Sequence, residues 1–297
     1  MLMMKSVPGS LVKVPGTCGE LVQGVIDGRV FHITCPVNVF SYVTAERGLR
    51  AGITTNVPDK WKAKSAAQET MKLCGGDIPL TLRIRSDIPS GKGMASSTAD
   101  VVGTCMSVSS LLGNEISMKQ VSSIALSIEP SDGIMFKGIV LFDHREGAVM
   151  ESLGEPPRMK ILMVDTGVCV DTLQFNARDV VRLYSPYQAD IQRAVELVKK
   201  GIMNNDVSLI GEGATISSLC HQDVLYKPEL NKIIDIGKQF GAAGVNIAHS
   251  GGVIGILFDP EFRDMELLKH TICEVAGKEF LFHETELISG GACFVNA

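Results

Sequence analysis

Between residues 80 and 86 apolar and polar positions alternate, Leu80, Leu82 and Ile84 against Thr81, Arg83 and Arg85, which predicts a strand with one buried face. Beyond residue 100 the period changes. Val101, Cys105, Val108 and Leu112 fall four, three and four apart, the stripe of an amphipathic helix that ends near Gly113. A second helix is predicted from Ser117, with Gln120 placed to complete a capping box and a stripe of Val121, Ile124, Ala125 and Ile128. Glu129-Pro130-Ser131-Asp132-Gly133 then reads as a loop. Upstream, strands are predicted at Leu11 to Val14, before a Pro15-Gly16 turn, and at Glu20 to Ile26, Val30 to Thr34 and Asn38 to Ala45. Asp27-Gly28 between two of them is a tight-hairpin dipeptide. Lys60 to Leu73 reads as helix.

Strands recur at Ile139 to Phe142 and Lys160 to Asp165, separated by Gly154-Glu155-Pro156-Pro157, where a domain boundary is expected because paired prolines stop helix and central strand alike. The division is therefore placed at 1–156 and 157–297. Helices predominate beyond it, roughly Pro186 to Lys200, Asp206 to Cys220, Glu229 to Phe240 and Glu261 to Ala276. Strands are interleaved near Val245, Val253 to Phe258, Glu279 to Glu286 and Ala292 to Asn296. The class is α+β.

With 297 residues, 45 % of them apolar, the chain has ample core material. Its net charge of −5 is dispersed and its longest basic run is Lys199-Lys200, so neither a nucleic-acid footprint nor a polybasic membrane tether is present and small-molecule partners are expected. No apolar run approaches the roughly 18 residues of a membrane span. The eight cysteines contain no C-x-x-C unit and read as reduced, mostly buried thiols. The N-terminus lacks the apolar region of a signal peptide, and a cytoplasmic location is expected. The oligomeric state is open, a homodimer being one compatible assembly.

The chemistry concentrates in the loop before the first long helix. Gly91 and Gly93 allow close backbone approach, and the helix opening at Ser96, Ser97 and Thr98 offers free N–H groups and the positive end of its dipole, an arrangement that binds phosphate. A P-loop is excluded because Gly93 follows Lys92 where a hydroxyl residue is required, and a Rossmann fingerprint because Ser96 stands at its third glycine. The competing reading is a capped helix whose serines serve only as N-caps.

Taken whole, Pro89-Ser90-Gly91-Lys92-Gly93-Met94-Ala95-Ser96-Ser97-Thr98-Ala99 resembles the nucleotide loop of the GHMP kinases. Two further motifs of that superfamily occur in order, Pro15-Gly16-Thr17-Cys18-Gly19-Glu20-Leu21-Val22-Gln23-Gly24 and Gly241 through Ala248-His249-Ser250-Gly251-Gly252-Val253. Within it, PGTCGELVQG, HITCPVN, SGKGMASSTAD, EPSDGIMF and AHSGG look most like the L-threonine kinases of cobalamin synthesis, which make O-phospho-L-threonine. The resemblance implies an N-terminal domain like domain 2 of ribosomal protein S5, a ferredoxin-like C-terminal domain, and ATP, Mg²⁺ and a small hydroxy amino acid in the cleft between them.

By family position the loop from Pro89 to Ala99 cradles the phosphates, Ser97 holds Mg²⁺ and Asp132 is the base. Glu129 is assigned to complete the metal site, although other branches carry that glutamate further upstream, near Val121. Thr17 stands where other branches carry Lys or Arg, so either Lys13 or Lys92 substitutes or the reaction relies more on Mg²⁺. Thr17, Cys18, Glu20, Gln23, Ser250 and Gly251 are the acceptor candidates, Glu20 for an ammonium. The competing roles are an Asx-turn for Asp132, a solvated helix end for Glu129 and ligand-free turn and strand positions for the acceptor group. His249 reads as structural, the other histidines indicate no metal cluster, and Trp61 no stacking platform. Rival functions are a kinase of homoserine or a sugar and a nucleotide-binding regulator on the same fold.

Overall fold

The computed structural model describes residues 10–168 and 178–295. Cys169 lies outside them, and the other seven cysteines are free thiols. Eleven strands of the described residues join one sheet. Strands β1 (Val12–Ile26) and β2 (Arg29–Arg47) form a long antiparallel hairpin closed by Asp27-Gly28, both at positive φ as that turn requires. The expected turn at Pro15-Gly16 does not break the strand, and the break expected between Val30–Thr34 and Asn38 is likewise absent. Register shifts at Pro15/Gly16, Thr17/Glu20 and Glu20/Val22 absorb the irregular residues as bulges, which re-aim side chains without ending the pairing.

Short β3 (Ile53–Thr55) and β4 (Leu80–Ser86) run parallel on either side of α1 (Trp61–Cys74). Helix α2 (Ser96–Leu111) packs on β1 and β2 and buries most of its surface, and α3 (Met118–Ile128) begins with the Ser117/Gln120 capping box that its sequence predicts. Strand β5 (Ile139–Phe142) then pairs with β2 and with β6 (Val149–Gly154). The second half runs β7 (Lys160–Asp165), α4 (Val180–Tyr184), α5 (Gln188–Asn204), α6 (Val207–Cys220), α7 (Leu230–Gln239), β8 (Gly244–Ile247), β9 (Val253–Phe258), α8 (Met265–Ala276) and β10 (Leu281–Glu286). Its four strands are antiparallel in the order fourth, first, third, second, which is the ferredoxin-like order the resemblance implies.

The strand ladders of the two halves join at Glu20. Glu20 pairs with Thr34 on β2 and with Ile247 at the end of β8. The chain then returns to its first half, where β11 (Cys293–Phe294) pairs with Lys13 and Val12. No helix of the described residues is long and apolar enough to cross a membrane.

Candidate active site

The loop ahead of α2 holds Gly91, Gly93 and Ala95 at φ of 73°, 76° and 57°. Glycine adopts this region freely, whereas Ala95 does so at a cost of about 1–2 kcal/mol. Positive φ at alternate residues gathers successive N–H groups into a concave nest, and the N-terminus of the sixteen-residue α2 adds its dipole. The loop is fixed from below, where Met94 is buried and its carbonyl accepts from the Thr17 N–H at 3.1 Å. It is also fixed from the side by the Gly251 backbone, so close that a Cβ on Gly251 would lie 2.1 Å from the Lys92 oxygen.

This loop forms one wall of an open cleft, lined further by Glu20, His32, Lys62, Glu129 to Asp132, His144, His249 and Ser250. The serines are not caps: the N-cap of α2 is Ala95 with no side-chain bond, and the Ser97 hydroxyl donates to Glu129 Oε1. The other Glu129 oxygen accepts from Lys62, so the carboxylate at the end of α3 is turned into the cleft rather than into solvent. Asp132 likewise forms no cap for the 3₁₀ turn at Gly133–Met135. Its Oδ1 lies 3.3 Å from His32 Nδ1, and Glu20 Oε1 lies 3.6 Å from the same nitrogen.

Glu20 is 3 % exposed, and its carboxyl is pushed well above the usual range by burial first and by the neighbouring Asp132 second. In the interval above the ordinary carboxylate value the folded protein therefore holds a proton that the unfolded chain has lost, so stability falls as pH rises through the folded value. Glu20→Gln cannot ionise. Its melting temperature is expected to match the wild type at pH 5 and to exceed it by a margin that widens toward pH 9; parallel melting curves across that range would contradict the assignment.

Several expected site residues lie elsewhere. Lys92 is paired with Asp165 at 3.0 Å, and Lys13 sits over the Phe40 ring at 3.6 Å, so neither supplies a cation to the cleft; among its described lining residues Lys62 carries that charge. Ala99 is core, and Ser90 faces an adjoining groove that also reaches Trp61, which the sequence reading set aside. Cys18 is fully buried, with its thiol donating to Asn246 Oδ1 at 3.6 Å and raised by burial. Thr17 is buried beneath the cleft, and Gln23 Oε1 accepts from His249 Nδ1 at 2.7 Å and so holds that ring in place. Gly251 buttresses the loop instead of lining the cleft.

Sequence reasoning missed Lys62, His32 and His144. The last two stack at 3.8 Å with 15° between their planes, and His249 meets both edge-on. Three of the histidines, in which the sequence indicates no metal cluster, thus gather at one place.

A phosphate nest, a pair of oxygen donors and a carboxylate that caps no helix share one cleft. A model of the GHMP kinases N terminal domain matches residues 61–136, and one of the GHMP kinases C terminal matches 194–270. The chain belongs to the GHMP kinases. It is a phosphotransferase that acts on an alcohol. This GHMP kinase is 29 % identical over 273 residues to an L-threonine kinase of Salmonella typhimurium (strain LT2), covering 89 % of this chain and 88 % of that one. To an L-threonine kinase of Citrobacter freundii it is 27 % identical over 298 residues, covering 95 % and 98 %. Its fold superimposes on a homoserine kinase from Cytophaga hutchinsonii with a TM-score of 0.73 at 16 % identity, covering 99 % of both chains.

Proposed function

We propose that this kinase transfers the γ-phosphoryl group of ATP to the side-chain hydroxyl of L-threonine, giving O-phospho-L-threonine for the aminopropanol linker of cobalamin. The observation that carries the reading is the position of Asp132: no cap occupies its carboxylate, and it lines the same cleft as the loop from Pro89 to Thr98. In this reading residues 1–156 and 157–297 are the two domains that supply these walls.

Phosphoryl transfer demands positioning and charge neutralisation more than covalent chemistry. The loop N–H groups donate to the phosphates, and Lys62 adds positive charge at the same wall. Ser97 and Glu129 offer a hydroxyl and a carboxylate, the hard oxygen donors that suit Mg²⁺, and Glu129 already carries the Lys62 ammonium as a cationic partner. These two residues would hold the ion, which when bound supplies charge neutralisation of the phosphates. Asp132 orients the acceptor hydroxyl and takes its proton late, once the oxygen is bonding to phosphorus, since a carboxylate is too weak a base to ionise an alcohol beforehand. Glu20 meets the ammonium of the amino acid, whose charge draws the Glu20 carboxyl back to its ionised form.

The test is mass analysis of products from purified protein with Mg·ATP and L-threonine, L-serine, L-homoserine or galactose. O-phospho-L-threonine as the dominant product supports the reading. Phosphorylation of another alcohol keeps the kinase and overturns the acceptor.

A further inference from the structure

The ammonium end of the acceptor site has its partner in Glu20, but an α-amino acid also brings a carboxylate, and among the described residues no arginine lines the cleft. Lys62 is engaged at the other wall by Glu129. Of the ring nitrogens that line the cleft, those of His32 and His144 are available to meet an anion. His144 is 4 % exposed, lines the cleft, and its Nδ1 is buried without a hydrogen-bond partner. Such an atom costs stability unless a ligand completes it.

The surroundings of His144 hold its ring in place beside the cleft. The ring is stacked on His32, whose Nδ1 faces the Glu20 and Asp132 carboxylates. Its positive neighbour is Arg145, whose charge reaches His144 and His249, although burial and His32 do more to disfavour a further charge on the His144 ring. Its backbone is rigid: the His144 carbonyl accepts from Ser131 N–H at 3.2 Å, tying it to the segment that carries Asp132, and Asp143 Oδ1 caps the Arg145 and Glu146 N–H groups at 3.0 and 2.9 Å. Three clustered imidazoles are also how a transition metal is held. The near-parallel stack of His32 and His144 sets their in-plane lone pairs side by side rather than converging on one ion, which favours the anion.

We propose that His144 donates a ring N–H to the carboxylate of the acceptor and is thereby the residue that selects an α-amino acid over a plain amino alcohol. This rests on the amino-acid reading above. The row Glu20, His32, His144 then matches a zwitterion, with the anionic group of the protein at one end and the N–H donor at the other, and the hydroxyl left to Asp132. A charge-assisted hydrogen bond of this kind is worth roughly a 10- to 100-fold preference.

The experiment compares kcat/KM for L-threonine and for (R)-1-aminopropan-2-ol, which keeps the ammonium and hydroxyl and lacks the carboxylate, in wild type, His144→Leu and His144→Gln. The wild type is expected to prefer threonine by about 100-fold or more; His144→Leu loses at least about 10-fold of that ratio, and His144→Gln, which keeps an N–H donor, loses less. Equal losses on both acceptors with the ratio intact, or His144→Leu with the full wild-type preference, would overturn the site. A wild type that turns over a sugar and no amino acid would overturn the proposed function and this site together, which separates the two failures.

Discussion

Asp132→Asn leaves the protein folded and able to bind ATP while kcat falls about 1,000-fold. Folding is spared because the side chain caps nothing, and the amide oxygen of Asn can still accept from His32 Nδ1, where Asp132 Oδ1 lies at 3.3 Å. ATP binding is spared because the phosphates are held by the loop from Pro89 to Thr98, with which Asp132 forms no hydrogen bond. What the amide cannot do is take a proton from the acceptor oxygen as the new bond to phosphorus forms. Steady-state kinetics with a thermal melt decide it: kcat within a few-fold of wild type would remove Asp132 from the mechanism.

Gly251→Ala is the second large effect. A Cβ there would meet Lys92 O at 2.1 Å, Lys92 C at 2.3 Å and Gly93 N at 2.5 Å, all backbone atoms that cannot rotate away. Gly251 cannot retreat easily either, since its carbonyl accepts from the buried Lys227 ammonium. The loop must therefore shift, and a displacement near 1 Å at a positioning element costs on the order of 100-fold. The expected result is a loss of that size in kcat/KM for ATP from a protein that still melts cooperatively. Unchanged ATP kinetics would show that the loop does not depend on this contact.

The elements most legible in the sequence were those whose signals are local. The Ser117/Gln120 capping box, the Asp27-Gly28 turn and the alternation of residues 80 to 86 each stand in the structure as their sequence predicts. Signals that local rules treat as breaks failed where the sheet absorbed them: Pro15-Gly16 and Pro36 lie inside long strands because bulges and covered faces tolerate them. The loop glycines, Ser97, Glu129 and Asp132 were legible because they sit in contiguous motifs. Lys62, His32 and His144 were not, since α1, β2 and the turn after β5 bring them to the cleft from three separate places. His32 did leave a trace as a lone polar ring in the apolar run Val30 to Ile33, where a buried histidine needs a reason. The acceptor candidates that do not line the cleft, Cys18, Gln23 and Gly251, share the motifs of Glu20 and Ser250, which do, but face the core or brace the loop, a distinction set by strand face and close packing rather than by residue type.

The most direct test is the ratio of kcat/KM for L-threonine to that for L-homoserine with Mg·ATP, measured on the same preparation. The two acceptors share an ammonium and a carboxylate and differ in where the hydroxyl lies, so the ratio reports whether Asp132 is placed for the threonine oxygen once Glu20 and His144 hold the other groups. A preference for threonine of about 100-fold or more is the predicted result. Equal turnover, or a preference for homoserine, would contradict it.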